Sequence, residues 1–350
     1  MPHLENKPFG TAPDGTSIDL FILDNGRGVE ARITNFGGII VSLFAPDRYG
    51  HRRDILLGFQ DALGFAQNKP YFGALIGRYA NRIANARFVL DGRTVQLAAN
   101  DGNNHLHGGI VGFDRVVWKA RPLEEEGPAL ELKYHSPDGE EGYPGNLDVT
   151  VVYTLTLAGA LEIRYEAVTD RPTPVNLTSH AYFNLGDSPD ILGHELRLNA
   201  SFFLPVNAGL IPTGELRKVD GTPFDFRLPA AIGPRLTADD EQLRLARGID
   251  HTFVIDKKEG ELATAAEVYD RASGRAMRVR TTEPGIQLYT GNFLDGTIVG
   301  KGGRAYRARA ALCLEAQHFP DSPNQARFPS TILRPGEVYR QTTVYDFTAA

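Results

Sequence analysis

Cysteine is almost missing: Cys313 stands alone in 350 residues, so no internal disulfide can form and burial of apolar surface must hold the fold. A chain of this kind suits a reducing compartment, and a cytoplasmic location is expected. No stretch approaches the roughly 18 uncharged apolar residues of a membrane-spanning helix. The opening MPHLENKPFGTAPDGTSIDL also lacks the basic start and apolar run of an export signal. Basic excess is absent too. With a net charge of -6 at pH 7 and no run of Lys and Arg, little is available to neutralise a phosphate backbone, which excludes nucleic acid as a partner. Neither a Walker loop nor a strand followed by GxGxxG and a helix occurs, so nucleotide-dependent transfer is unsupported. There is no GxSxG elbow, and the adjacent Ser179 and His180 would point to opposite faces of a strand. Long helical periodicity is missing as well. The best candidate is TADDEQLRLARGID (237–250), with Thr237 or Asp239 as its N-cap.

What the chain does have is alternation between frequent turns, with 37 Gly and 22 Pro. In VTVVYTLTLAGALEIRYEAV (149–168), Val149, Val151, Tyr153, Leu155 and Leu157 oppose Thr150, Thr154 and Thr156. Beyond Ala158-Gly159, Leu161, Ile163, Tyr165 and Ala167 oppose Glu162, Arg164 and Glu166. That is a hairpin with one buried face. ARFVLDGRTVQL (86–97) places its turn at Asp91-Gly92, and AEVYDRASGRAMRVR (266–280) at Ser273-Gly274. Leu130, Leu132 and Tyr134 alternate likewise. With no internal repeat, no long linker and few helices, the pattern predicts one all-β domain over residues 1–350, a sandwich or barrel rather than a parallel α/β sheet.

Three segments carry candidate chemistry. In PVNLTSHAYFNL (174–185), an extended chain would put Asn176, Thr178, His180, Tyr182 and Asn184 on one face, a row of neutral donors and acceptors suited to sugar hydroxyls. The plain alternative is a solvent-facing row. In NDGNNHLHGG (100–109), His105 and His107 would share a face, and the glycines would allow close backbone approach. A His-x-His metal pair is conceivable, but no further ligands are grouped at metal spacing. In LCLEAQHFPDSPN (312–324), Leu312, Leu314 and Ala316 would pack inward, leaving Cys313, Glu315 and Gln317 opposite. Glu315 there is either half of an ion pair or a base in a cleft. GRYANRIANARF (77–88) and GIDHTFV (248–254) add Arg78, Asn81, Arg82 and Asp250 beside apolar stretches.

GRYANRI, NNHLHGG, SHAYFNL, DHTFV, GIQLYTGNF, LEAQHFPDSPN and LRPGEVY, in this order, resemble the aldose 1-epimerase (galactose mutarotase) family from about residue 10 to near the C-terminus. The resemblance implies a large antiparallel β-sandwich with few short helices. It also implies His180 as general acid and Glu315 as general base, with Asn81, Arg82, His107, Tyr182, Asp250 and Gln287 contacting the sugar. Ala99 and Ala181 depart from the family's usual residues without touching the acid or base. Neither cofactor nor metal is implied, because ring opening and closure at C1 needs only proton transfer. The expected partner is a small-molecule sugar, free glucose or galactose being usual for the family, with the protein a monomer or homodimer.

In that chemistry Glu315 takes the C1 hydroxyl proton while protonated His180 gives one to the ring oxygen, and the roles reverse on closure. His180 must then hold a proton and Glu315 lose one. A carboxylate field at the imidazole and cations at the carboxylate are the expected means, with Asp250 serving either the sugar or the histidine. A hexose-6-phosphate 1-epimerase would need more cations around the substrate than Arg82. A non-catalytic sugar-binding module would need no acid and base, and a glycosidase would use two carboxylates.

Overall fold

The computed structural model describes residues 1–67 and 70–350. It is dominated by three antiparallel sheets. Nine strands form the largest, in the order Lys119–Glu124, Pro128–Ser136, Leu147–Leu155, Ala160–Thr169, Tyr339–Ala349, Arg275–Thr281, Ala263–Tyr269, Glu195–Leu198, Ala230–Ala231. A six-stranded sheet runs Tyr182–Phe183, Leu312–Gln317, Gly285–Tyr289, Asp250–Ile255, Ala200–Phe203, Arg217–Lys218. The first 54 residues make a five-stranded sheet in sequential order, from His3–Thr11 to Arg52–Asp54.

Period-two burial explains how the first two sheets face one another. Leu130, Leu132, Val149, Val151, Ile163 and Tyr345 of the nine-stranded sheet share one apolar cluster with Phe183, Ile286, Leu288, Leu312 and Leu314 of the six-stranded sheet. Each fully buried aliphatic or aromatic side chain contributes roughly 1.5–3 kcal/mol by leaving water. The strand Tyr339–Ala349 crosses Leu312–Gln317 closely, with Tyr345 Oη donating to the Leu314 carbonyl at 3.3 Å and Gln341 Nε2 to the Ala316 carbonyl at 3.2 Å. The expected antiparallel β-sandwich is therefore what forms.

The predicted hairpins fold at the expected places. Val149 pairs with Ala167. Arg87–Leu90 pairs with Arg93–Gln96 around Asp91 and Gly92, whose φ values of 48° and 77° suit a tight turn. Ala263–Tyr269 pairs with Arg275–Thr281. The helix expected over 237–250 shrinks to Glu241–Ala246, and its N-cap is Asp240, whose carboxylate accepts the Gln242 and Leu243 N–H groups, not Thr237 or Asp239. The remaining α-helices among the described residues are Ala62–Gln67 and Ile232–Leu236, and none is long and apolar enough to cross a membrane.

Two expectations need correction. Residues 174–185 do not make one strand but three two-residue strands, Thr173–Pro174, Thr178–Ser179 and Tyr182–Phe183, each paired to a different partner. A single period-two face is therefore lost, and neither the solvent-facing nor the ligand-facing reading fits the whole row. Asn176 is fully buried and exchanges hydrogen bonds with the Ala80 and His318 backbone. Asn184 likewise pins the Ser188 and Ala310 carbonyls.

Arg78 also points away from any ligand. Its guanidinium is buried and donates to Ser136 Oγ at 2.6 Å and to the carbonyls of Ser136, Pro137 and Gly145, each at 2.8 Å. Replacing it strands several buried acceptors, each costing about 1–3 kcal/mol when left unpaired. Arg78→Met is therefore expected to lose about 3 kcal/mol or more in urea unfolding, and a loss under about 1 kcal/mol would contradict this role.

Candidate active site

The six-stranded sheet sets the site by register. Glu315 lies opposite Gln287, Cys313 opposite both Tyr289 and Tyr182, and Tyr289 opposite Asp250. Because Leu312 and Leu314 enter the core between the sheets, Glu315 must project from the other face. It opens into a cleft of about 250 Å³ with Asn81, Arg82, His107, His180, Tyr182 and Asp250 on its wall. That volume lies just below the roughly 300–1,000 Å³ usual for small-ligand sites, so it has room for no more than one monosaccharide ring.

His180 sits in the gap between two of the short strands. Its N–H donates to the Ala74 carbonyl and its own carbonyl accepts the Gly73 N–H, both at 2.9 Å, so the backbone under the imidazole is fixed on both sides. His180 Nε2 stands 3.7 Å from Glu315 Oε2, too far for a direct hydrogen bond. Both side chains are buried, and His180 Nδ1 and Glu315 Oε2 find no protein partner among the described residues. Polar groups so placed are costly unless another molecule's polar groups meet them.

Asn81 and His107 lock to each other. The Asn81 N–H donates to His107 Nδ1 at 3.2 Å, and the His107 N–H returns to the Asn81 carbonyl at 3.0 Å. Both residues have positive φ, 62° and 50°. Gly108 follows because a Cβ there would fall 1.7 Å from the Gly77 oxygen. The kink removes the expected alternation, so His105 and His107 do not share a face. Instead His105 Nδ1 donates to the Ala98 carbonyl at 2.7 Å and its Nε2 accepts the Tyr143 hydroxyl at 2.6 Å, which leaves neither nitrogen for a metal.

A different group, His107, His180 and Glu315, brings potential ligand atoms within 4.8 Å of one another. The Asn81 bond argues against a cation there. It occupies the Nδ1 lone pair of His107, so the proton of the neutral ring lies on Nε2, and His107 serves as a donor. Burial, then the neighbouring His180 and Arg82, hold its pKa well below the ordinary value, keeping it neutral.

Behind this layer, Arg82 Nε donates to Asp101 at 2.7 Å, and Asp250 Oδ1 accepts Gln287 Nε2 at 2.6 Å. Gln287 in turn accepts the Thr252 hydroxyl at 2.5 Å. It therefore stands behind Asp250 and is not on the cleft wall. Several wall residues escaped the sequence reading. Tyr71 packs on His107 and His180 with ring centroids 4.7 and 5.9 Å apart, and Tyr289, Phe293 and Ile298 close the apolar side. Tyr289 and Phe293 lie inside GIQLYTGNF, so the motif signalled them without singling them out. Tyr71, with φ 59°, has no periodic signal at all.

The electrostatics differ from the expectation of a charged pair held by its surroundings. Burial lowers the pKa of His180 to about 4. Burial, then Asp250, pushes Glu315 well above the carboxylate range, with Arg82 opposing. Asp250 is itself raised, chiefly by burial. Asp250 thus acts on Glu315. Removing both groups from water favours their neutral forms, so the pair holds one proton and favours it on the carboxyl.

A family model described as Aldose 1-epimerase matches residues 19–346. Galactose mutarotase of Homo sapiens is 46% identical over 353 residues, spanning 100% of both chains. The Bos taurus protein of the same name is 46% identical over 345 residues, 98% of each. Aldose 1-epimerase of Escherichia coli (strain K12) is 40% identical over 98% of this chain and 99% of its own. Among solved structures, galactose 1-epimerase of Lactobacillus acidophilus superposes with a TM-score of 0.89 at 28% identity, and an aldose epimerase homologue of C. elegans with 0.86 at 30%, both covering 100% of each chain. Sequence likeness over the whole length thus accompanies the sandwich and the cleft on its six-stranded sheet, and the chain belongs to the aldose 1-epimerase family.

Proposed function

We propose that this protein interconverts the α and β anomers of free aldohexoses such as glucose and galactose, with His180 and Glu315 as the acid and base. The observation that carries the reading is the 3.7 Å separation of two buried groups in a cleft of one-ring size. A pyranose presents its C1 hydroxyl and ring oxygen on adjacent positions, and two proton carriers that are close without bonding each other can serve both. Relatives named for this activity, at 40–46% identity over nearly full length, support it. The largest apolar cluster runs from Phe21 to Phe347, in favour of one domain.

In the proposed cycle the reactive form is the tautomer with its proton on His180. Two features favour that tautomer: Tyr182 stacks on the imidazole at 5.0 Å and 14°, and Arg82 draws the Glu315 pKa down. Glu315 takes the C1 hydroxyl proton as His180 protonates the ring oxygen. The aldehyde forms, the C1–C2 bond rotates, and closure runs the transfers backwards. His107, Asn81, Arg82 and Asp250 hold hydroxyls, and Tyr71, Tyr289 and Phe293 offer ring faces to the sugar's C–H surface. Arg82 is the one arginine or lysine among the described wall residues and is engaged by Asp101, which favours unphosphorylated substrates.

His180→Asn and Glu315→Gln are each expected to slow enzymatic mutarotation of galactose by roughly 10²- to 10⁴-fold in polarimetry. Glu315→Gln should still bind galactose in calorimetry. An undiminished rate in either variant would remove that residue from the mechanism.

The pH profile should be bell-shaped. Below about 4, His180 gains a second proton for the pair, no base remains, and kcat/KM falls. At high pH the shared proton is lost and no acid remains. Because burial raises Glu315, that limb should lie above the ordinary carboxylate range near 4.3. A rate that is flat from pH 3 to 10 would contradict the shared proton.

Gln287→Leu frees Asp250 from its 2.6 Å donor. The expected outcome is a several-fold rise in KM with a smaller change in kcat, and an unchanged KM would show that Asp250 needs no such support.

A further inference from the structure

A second cavity, of about 840 Å³, lies behind the hairpin Asp295–Val299/Ala305–Arg307. Ile298 of that hairpin stands on the sugar cleft, whereas Lys301, Arg304 and Tyr306, on its turn and return, line the second cavity. The facing wall comes from the N-terminal sheet, with Ser42 and Phe44 of the strand Ile40–Pro46.

Five basic side chains reach this cavity, Lys7, Arg32, Arg53, Lys301 and Arg304, against one acid, Asp54. Three of them are matched. Lys301 Nζ is 2.7 Å from Asp54, Arg32 is 2.7 Å from Glu30 outside the wall, and Arg53 pairs with Asp187 at the rim. Lys7 and Arg304 have no carboxylate partner among the described residues, so two positive charges stay uncompensated over a concave surface of a protein whose net charge is -6. Crowding is felt at Arg53, whose pKa is lowered by burial first and then by Arg304 and Arg275. The sugar cleft has no comparable excess.

From this arrangement we infer that the second cavity binds a phosphate monoester dianion of the sugar phosphate class. Lys7 and Arg304 bring two uncompensated positive charges to the cavity lining, opposite in sign to the charge of about -1.5 to -2 on such a group near pH 7. The Arg304 guanidinium can pair with it bidentately. Ser42, Ser188 and Gln60 supply neutral partners for hydroxyls, and Phe44 and Phe59 supply an apolar floor. A volume within the usual 300–1,000 Å³ of small-ligand sites leaves room for ring and phosphate together.

The test is calorimetry at low ionic strength on the full chain, with glucose 6-phosphate and inorganic phosphate titrated separately, repeated on Lys7→Glu and Arg304→Glu. Both side chains are exposed, so the reversals should leave folding and galactose mutarotation within about twofold. Saturable binding of glucose 6-phosphate, at least tenfold weaker in Arg304→Glu and not displaced by galactose, is expected. Equal affinity for inorganic phosphate would overturn the sugar phosphate assignment. No saturable binding, binding that survives both reversals, or displacement by galactose would overturn the site, and the last outcome would leave the sugar-cleft reading intact.

Discussion

An imidazole and a carboxyl buried 3.7 Å apart without a direct bond is the constraint to which the rest of the site answers. Either group alone in such surroundings would be neutral and inert, because burial lowers the histidine and raises the glutamate. In the proposed cycle they act as a donor and an acceptor whose roles exchange, as ring opening followed by ring closure requires. Arg82 and Asp250 pull Glu315 in opposite directions. Asp250 acts in the same direction as burial and more strongly than Arg82, which offsets the shift only in part.

Strand register provides the geometry. Asp250, Gln287 and Glu315 come from three adjacent strands, and antiparallel pairing fixes Gln287 beside Glu315 while its amide reaches Asp250. A one-residue slip would send Glu315 into the apolar layer occupied by Leu312 and Leu314. The histidines have different support. His107 depends on two positive-φ turns locked by reciprocal bonds with Asn81, and His180 on backbone bonds to Gly73 and Ala74. Precision here comes from irregular segments braced against a rigid sheet.

Much of this was legible in the sequence, and the failures have physical causes. Alternation exposed the hairpin over 149–168 and the inward side of Leu312–Gln317, because period-two patterns survive wherever one face of a sheet is buried. The same rule misread 174–185, where three short strands change partner every few residues. It also misread NNHLHGG, where positive φ at His107 turned the two histidines apart. Arg78 looked like a ligand group because a sequence does not reveal that a guanidinium is surrounded by carbonyls. Tyr71 was invisible because its place depends on a turn and not on a repeat. His180 and Glu315 came forward through motif resemblance, since 135 positions of chain separate the two residues and no local pattern links them.

Mutarotase activity is measured by following the optical rotation of freshly dissolved α-D-galactose and α-D-glucose with the unaltered protein, corrected for the spontaneous rate. A first-order acceleration proportional to protein concentration, ending at the same rotation as the uncatalysed reaction, is the expected result. A decay indistinguishable from buffer, or a different final rotation, would contradict it.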